Sequence, residues 1–227
     1  MRIVATHPHD PTAFTEGYVF TDGGRLYESS GGDEESRVSQ VDPMSGVAII
    51  SVPLGPNYFG EGLAAVGGEL VQLTWKEGTA FRWSVDGLAP VGQFAYLGEG
   101  WGLTFDGAKH RFIQSDGTDT LAFRDPVTFS EVGRVKVRRA GVPVTAINEL
   151  EWVDGVVWAN VWRTNELLRI DPTTGRVTGV VDASPLVVPP ADPEDVLNGI
   201  AHRPGDPAHR LWVTGKRWST VTEIVVT

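Results

Sequence analysis

The chain has 227 residues, a formal net charge of −10, 27 glycines, 15 prolines and no cysteine. The acidic charge argues against a nucleic-acid binder, which needs a basic surface. The lack of cysteine excludes disulfides, thiolate nucleophiles and cysteine-based metal sites. No apolar run approaches the roughly 20 residues of a membrane span, and no signal-peptide pattern opens the chain. We therefore expect a globular protein without a membrane segment, and its compartment is left open.

Short β-branched and aromatic runs follow one another along the chain, and nearly every window long enough for a helix is interrupted by Gly, Pro, Asn or Asp. Asp-Gly and Gly-Gly pairs stand between many of the runs, as they do in tight β-hairpins. The runs predict an all-β protein built from antiparallel hairpins. In chain order they cover residues 17–20, 25–28, 38–41, 47–52, 70–74, 81–85, 111–114, 120–123, 156–159, 167–170, 177–181, 211–214 and 221–226.

One hairpin pattern recurs five times, at intervals of 40 to 50 residues. A third strand follows each hairpin, and in the first four repeats an aspartate turn and a fourth strand complete the unit. The fifth repeat stops after three strands, and the N-terminal segment 2–6 can supply the missing one. Four strands per repeat is the blade signature of a β-propeller. Residues 1–227 are thus predicted to form a single-domain, five-bladed β-propeller whose last blade is closed by the N-terminal strand. An irregular β-sandwich is the alternative.

The first strand of each blade lines the channel of a propeller, so the residues that open the five repeats are expected to converge near the axis. They are Glu16, Glu61, Trp101, Asn148 and Asn198. A strand that only needs packing would carry Val or Ile at this position, so the carboxylates and amides point to a pocket. The competing explanation is that these are turn and cap residues of tight hairpins.

A second set of large side chains accompanies these positions. Trp75, Trp162 and Lys216 occupy the same place in three repeats, just after the second strand, while Phe14 and Phe59 each precede a glutamate by two residues. Core packing is the usual fate of a lone aromatic residue, but equivalent placement favours exposure to one common mouth. An aromatic-walled cleft with few polar groups suits a small ligand. The insertion 182–195 is predicted to be a surface loop near this mouth, with room for one short helical turn.

Several motifs taken in order resemble one known family. They include Phe14–Gly17, Phe59–Leu63, Asn148–Trp152, Ala159–Trp162, Val196–Ala201 and Val213–Trp218. Together they resemble the plant and bacterial glutaminyl cyclases (glutaminyl-peptide cyclotransferases) from about residue 5 to 225. The resemblance implies a five-bladed propeller, monomeric, that converts the N-terminal glutamine of peptides or proteins to pyroglutamate and releases ammonia, without a metal or other cofactor. Members are often secreted or periplasmic.

The resemblance also implies roles for individual residues. Glu61 matches the proton-transfer carboxylate of the family, and the substrate-pocket positions are matched by Phe14, Phe59, Trp75, Trp101, Asn148, Trp162 and Lys216. We expect Glu61 to shuttle a proton and Lys216 to assist the developing charge, although the Asn148 amide or a tryptophan N–H could also serve as the oxyanion donor. Glu16 departs from the family, which usually has Gln there. A second carboxylate near Glu61 would raise one of the two pKa values, and it could bind the substrate ammonium.

Two other functions fit the same residues. In a calcium-dependent propeller hydrolase of the lactonase kind, Glu16, Glu61, Asn148 and Asn198 would hold the ion. A propeller without catalytic activity could instead bind a peptide through the aromatic mouth. The five histidines are scattered, so a histidine metal site is not expected.

Overall fold

A computed structural model describes residues 1–187 and 192–226. Within these residues the strands form five four-stranded antiparallel sheets and one two-stranded hairpin. The N-terminal strand is β1 (Arg2–Pro8). Blade 1 comprises β2 (Phe14–Phe20), β3 (Leu26–Gly31), β4 (Arg37–Val41) and β5 (Ala48–Pro53). Blade 2 comprises β6 (Gly60–Val66), β7 (Glu69–Thr74), β8 (Thr79–Ser84) and β9 (Pro90–Ala95). Blade 3 comprises β10 (Leu103–Asp106), β11 (Arg111–Gln114), β12 (Thr120–Arg124) and β13 (Glu131–Lys136).

The hairpin that follows blade 3 was not foreseen from the sequence. It pairs β14 (Arg138–Arg139) with β15 (Val142–Pro143). Blade 4 comprises β16 (Ile147–Val153), β17 (Val156–Val161), β18 (Glu166–Ile170) and β19 (Val177–Asp182). Blade 5 comprises β20 (Leu197–Ala201), β21 (Arg210–Gly215) and β22 (Thr220–Val225), with β1 as its outer strand. No helix among the described residues is long and apolar enough to cross a membrane.

Blade 5 joins the two ends of the chain. Strand β1 pairs antiparallel with β22 from Arg2 opposite Val225 to Pro8 opposite Thr220. The prediction that the N-terminal strand closes the last blade is therefore confirmed. The short helical turn predicted in the insertion 182–195 is also present, as a 3-10 turn at Ser184–Leu186, while residues 188–191 of that insertion lie outside the described residues.

The hydrophobic core is divided among the interfaces between blades. Successive side chains of a strand point to opposite faces of its sheet, so the second strand of a blade can contribute to the interfaces on both sides of that blade. On β3, Leu26 packs towards blade 5 and Tyr27 towards blade 2. On β11, Phe112 packs towards blade 2 and Ile113 towards blade 4. The described residues form five such clusters, one for each pair of adjacent blades, and this is the packing of a closed five-bladed β-propeller.

A buried hydrogen-bond cluster reinforces the closure. His9 Nδ1 lies 2.7 Å from the carbonyl oxygen of Trp218 in blade 5, and its Nε2 lies 3.0 Å from Glu28 Oε1 in blade 1. Burial by itself lowers the pKa of His9, but the Glu28 carboxylate and the hydrogen bonds outweigh it, and the pKa is raised overall. His9 therefore links the N-terminal segment to the blades on both sides of the seam.

Around the axis the inner strands approach so closely that several positions accept only glycine. A Cβ on Gly17 would lie 2.4 Å from the backbone nitrogen of Leu63, and one on Gly102 would lie 2.1 Å from the carbonyl oxygen of Asn148. Real Cβ atoms do not approach other atoms this closely. Gly17, Gly62 and Gly102 are therefore required by the contact between neighbouring blades.

Blade 4 has Glu149 at the position where the other blades have glycine. Its carboxyl group reaches across the axis, accepts the backbone N–H of Ile200 in blade 5 at 2.8 Å and lies 3.4 Å from that of Tyr18 in blade 1. Burial, and then the neighbouring Glu151, raise the pKa of Glu149 well above its usual value. Glu149 thus fills the channel and ties three blades together.

Glu151 provides a test of how these buried carboxyl groups affect stability. Burial raises its pKa from 4.5 to about 8. Its contribution to the free energy of unfolding is therefore complete below pH 4.5 and is lost as the pH rises to about 8, at up to about 1.4 kcal/mol per pH unit. Urea unfolding of the wild type and Glu151→Gln should show a stability difference that changes between about pH 5 and about pH 8. Parallel pH profiles would contradict this assignment.

Candidate active site

One end of the central channel opens into a cavity of about 290 Å³. All nine side chains that the sequence analysis assigned to the site line it, together with one that it missed, Glu194. The nine are Phe14, Glu16, Phe59, Glu61, Trp75, Trp101, Asn148, Trp162 and Lys216. Of the five residues that open the repeats, only Asn198 does not line the cavity.

Irregularities in the inner strands place the polar residues of the site. The pairing of β2 with β3 skips Glu16, and the pairing of β6 with β7 skips Glu61 and Gly62. The same break occurs at Asn148 in β16 and at Asn198 in β20. A β-bulge bends the strand and redirects its side chain. Here the bulges sit at the channel end of four inner strands, so they direct carboxylates and amides towards the axis.

Aromatic rings build the wall of the cavity. Phe14 contacts Phe59 edge-on at a centroid distance of 6.2 Å, and Phe59 contacts Trp75 at 5.7 Å. On the other side, Trp101 contacts Trp162 edge-on at 5.8 Å. Trp75 and Trp162 follow β7 and β17 directly, which is the equivalent placement expected from the repeats.

Glu16 and Lys216 form a buried ion pair. The Lys216 Nζ donates to Glu16 Oε1 at 2.7 Å, and the other carboxylate oxygen accepts from Asn198 Nδ2 at 3.1 Å. The ammonium also lies 4.5 Å from the centre of the Phe14 ring. Asn198 thus orients Glu16 from behind, and the lysine is held between a carboxylate and an aromatic face.

Glu61 stands beside this pair. Across residues 1–187 and 192–226, no protein group donates a hydrogen bond to its carboxyl group, although the residue is buried. Burial raises the pKa of Glu61 well above its usual value, and the Glu16 carboxylate raises it further, while Lys216 acts in the opposite direction. A carboxyl group that faces a cavity, lacks a protein partner and titrates at raised pH is suited to exchange protons with a ligand.

The indoles of Trp75 and Trp101 are not available as oxyanion donors, in contrast to one of the alternatives from the sequence. Both N–H groups donate to the same oxygen of Glu99, at 2.9 Å and 3.0 Å. The sequence analysis missed Glu99 and Glu194 because both lie on loops, and loop geometry has no periodic signal. Only the position of the insertion near the mouth hinted at Glu194.

The calcium alternative does not suit this geometry. Among the described residues, no group of three or more His, Asp or Glu side chains is arranged to hold a metal ion. Glu16, one of the four ligands that this alternative requires, already binds the Lys216 ammonium at 2.7 Å. A cation inside the ligand shell would repel a second cation.

Comparison with known proteins agrees with the geometry. Residues 1–226 match the family model of the glutamine cyclotransferases. The chain belongs to this family. It is 38% identical to the glutaminyl-peptide cyclotransferase of Arabidopsis thaliana over 229 residues, which cover 99% of this chain and 70% of the relative.

Two solved structures resemble this chain to different degrees. The crystal structure of Myxococcus xanthus glutaminyl cyclase superposes with a TM-score of 0.89 and 41% identity, and the match covers 100% of this chain and 97% of the other. Kuenenia stuttgartiensis hydrazine synthase matches with a TM-score of 0.54 and 13% identity over 95% of this chain and 58% of the other, so it shares the fold alone.

Proposed function

We propose that this protein converts the N-terminal glutamine of peptides and proteins to pyroglutamate and releases ammonia. The observation that carries the proposal is Glu61, a buried carboxyl group that faces an aromatic-walled cavity and accepts no hydrogen bond from the residues that the structure describes. Membership of the glutamine cyclotransferase family supports the same reaction. The resemblance to the family leads us to expect a monomer.

The cavity suits a single amino-acid side chain attached to a longer peptide. Aromatic faces on most of its wall leave little space for water and favour a folded side chain over an extended one. Cyclisation requires the α-amine to approach the γ-carboxamide of the same residue, so confinement in this geometry supplies much of the rate enhancement. The rest of the peptide would leave through the open mouth.

Glu61 would move the proton. As a carboxylate it takes a proton from the attacking α-amine, and as an acid it returns that proton to the departing nitrogen, which leaves as ammonia. One group can perform both steps because the two nitrogens are bonded to the same carbon in the tetrahedral intermediate. Burial raises the pKa of Glu61, and a raised pKa makes its carboxylate a stronger base for the first of these steps.

Lys216, Asn148 and the indole of Trp162 remain as donors to the oxygen of the tetrahedral intermediate. Lys216 uses one N–H for Glu16, and its other two can serve the cavity that it lines. Asn148 borders the cavity, and its side-chain Nδ2 group donates no hydrogen bond to another of the described residues, so this N–H group can donate to a ligand. Donors in place before the reaction stabilise the developing negative charge without reorganisation.

Replacing Glu61 tests its role directly. We expect Glu61→Gln to lower kcat on a glutaminyl peptide by roughly 10²- to 10⁴-fold, the range for loss of general acid–base catalysis. Glu69→Gln is the matched control, because Glu69 belongs to the same hairpin but pairs with Arg82 outside the cavity. Thermal melting of both variants should show that the fold is retained. Turnover of Glu61→Gln close to that of the wild type would refute the assignment.

Replacing Glu16 should alter the pH dependence. Because the Glu16 carboxylate raises the pKa of Glu61 and also engages Lys216, Glu16→Gln lowers the pKa of Glu61 by both routes. If the carboxylate form of Glu61 starts the reaction, the acidic limb of the kcat/KM profile should move to lower pH. The unpaired buried lysine should also destabilise the fold by about 3 kcal/mol. A limb that stays in place or moves to higher pH would count against the proposed coupling.

A mass-spectrometric assay separates this function from the other two suggested by the sequence. A glutaminyl peptide is incubated with the protein, with and without EDTA, and the loss of one ammonia per peptide is measured. Loss of ammonia that persists in EDTA is the expected result. Activity that EDTA abolishes would favour a metal-dependent enzyme, and no loss in either condition would favour a peptide-binding propeller.

A further inference from the structure

The aromatic wall of the cavity is interrupted between blades 2 and 3. Ring contacts join Phe14 to Phe59 and Phe59 to Trp75, and they join Trp101 to Trp162. In the part of the chain that the structure describes, no ring contact joins Trp75 to Trp101. These two residues belong to different blades, so nothing in the local backbone aligns their rings.

Glu99 occupies this gap. Its Oε2 accepts the indole N–H of Trp75 at 2.9 Å and that of Trp101 at 3.0 Å. Hydrogen bonds to a charged acceptor are about twice as strong as those between neutral groups. A single oxygen therefore joins the two halves of the wall and sets the plane of both indoles.

The backbone around Glu99 is itself held in place. The amide of Gly100 donates to the carbonyl oxygen of Trp75 at 2.8 Å, and Gln114 Nε2 donates to the carbonyl oxygen of Glu99 at 3.1 Å. A Cβ on Gly100 would lie 2.2 Å from the Tyr96 hydroxyl. The backbone that carries the Glu99 carboxylate is therefore held in place between blades 2 and 3.

We propose that Glu99 is a positioning residue for the cyclisation, which aligns Trp75 and Trp101 so that their faces confine the glutamine side chain. The proposal rests on the proposed function, since it assigns a task within that reaction. Glu99 touches the indoles rather than the reacting atoms, so its effect passes through the shape of the wall. Its carboxylate also contributes to the raised pKa of Glu61, after Glu16 and Glu77.

Kinetics of three variants separate alignment from charge. Glu99→Ala removes both hydrogen bonds and should lower kcat on a glutaminyl peptide by roughly 10- to 100-fold, the scale for misplaced reacting groups, with a smaller change in KM. Glu99→Gln keeps an acceptor oxygen and should restore most of kcat. Glu77→Gln is the matched control, because Glu77 also raises the pKa of Glu61 but bonds the Phe59 backbone instead of an indole. Equal kcat values for Glu99→Ala and Glu99→Gln would overturn the proposal.

A spectroscopic measurement makes the result independent of activity. The chain has 8 tryptophans, so NMR of the ¹⁵N-labelled protein can follow each indole N–H. In Glu99→Ala, the signals of Trp75 and Trp101 should shift upfield and exchange faster with solvent, while the others stay in place. Unchanged signals would overturn the proposal even if the protein were inactive. If these signals shift in Glu99→Ala but the wild type releases no ammonia, the alignment of the indoles by Glu99 stands and the proposed function fails.

A second route covers the case in which Glu99→Ala does not fold. The double variant W75F/W101F keeps Glu99 and both ring faces but removes both donors. It should show the same fall in kcat as the loss of the carboxylate. Wild-type kcat in this double variant would overturn the proposal.

Discussion

The close approach of the inner strands around the axis is the constraint on which the rest of the structure depends. Five blades bring these strands within backbone contact, so a Cβ at Gly17 or Gly102 would meet the next strand at 2.4 Å or 2.1 Å. Bulges at Glu16, Glu61 and Asn148 then direct these side chains into one cavity. The same contact that closes the ring therefore gathers Glu16, Glu61 and Asn148 from three blades.

Gathering carboxyl groups at the axis has an electrostatic consequence. Glu16, Glu61 and Glu149 are all buried, and burial raises the pKa of each. The three carboxyl groups differ in the hydrogen bonds that offset their burial. Lys216 and Asn198 bind Glu16, and backbone amides bind Glu149. Glu61 faces the cavity, and none of the described residues donates a hydrogen bond to its carboxyl group. This inequality distinguishes the carboxyl group that is free for chemistry from those that hold the blades together.

The aromatic wall of the cavity is held together by ring contacts and by the hydrogen bonds of one loop carboxylate. Ring contacts connect lining residues of adjacent blades, but among the described residues none connects Trp75 to Trp101. A polar group on a loop, Glu99, completes the wall. Its hydrogen bonds also turn both indole N–H groups towards the loop carboxylate, which leaves the cavity apolar on that side. Lys216, Asn148 and Trp162 are the cavity-lining side chains whose N–H groups can still serve a ligand.

Strand alternation, turn residues and equivalent repeat positions are local patterns, so they predict the five blades and the closure by the N-terminal strand, and they point to the nine side chains that line the cavity. Tertiary structure alone decided the partners of those residues. Lys216 and Glu16 are 200 positions apart, and Glu99 and Glu194 lie on loops where no repeat pattern marks them. Hydrogen bonds across the axis and between blades depend on how closely the folded strands approach, and that distance exists only once the ring has closed.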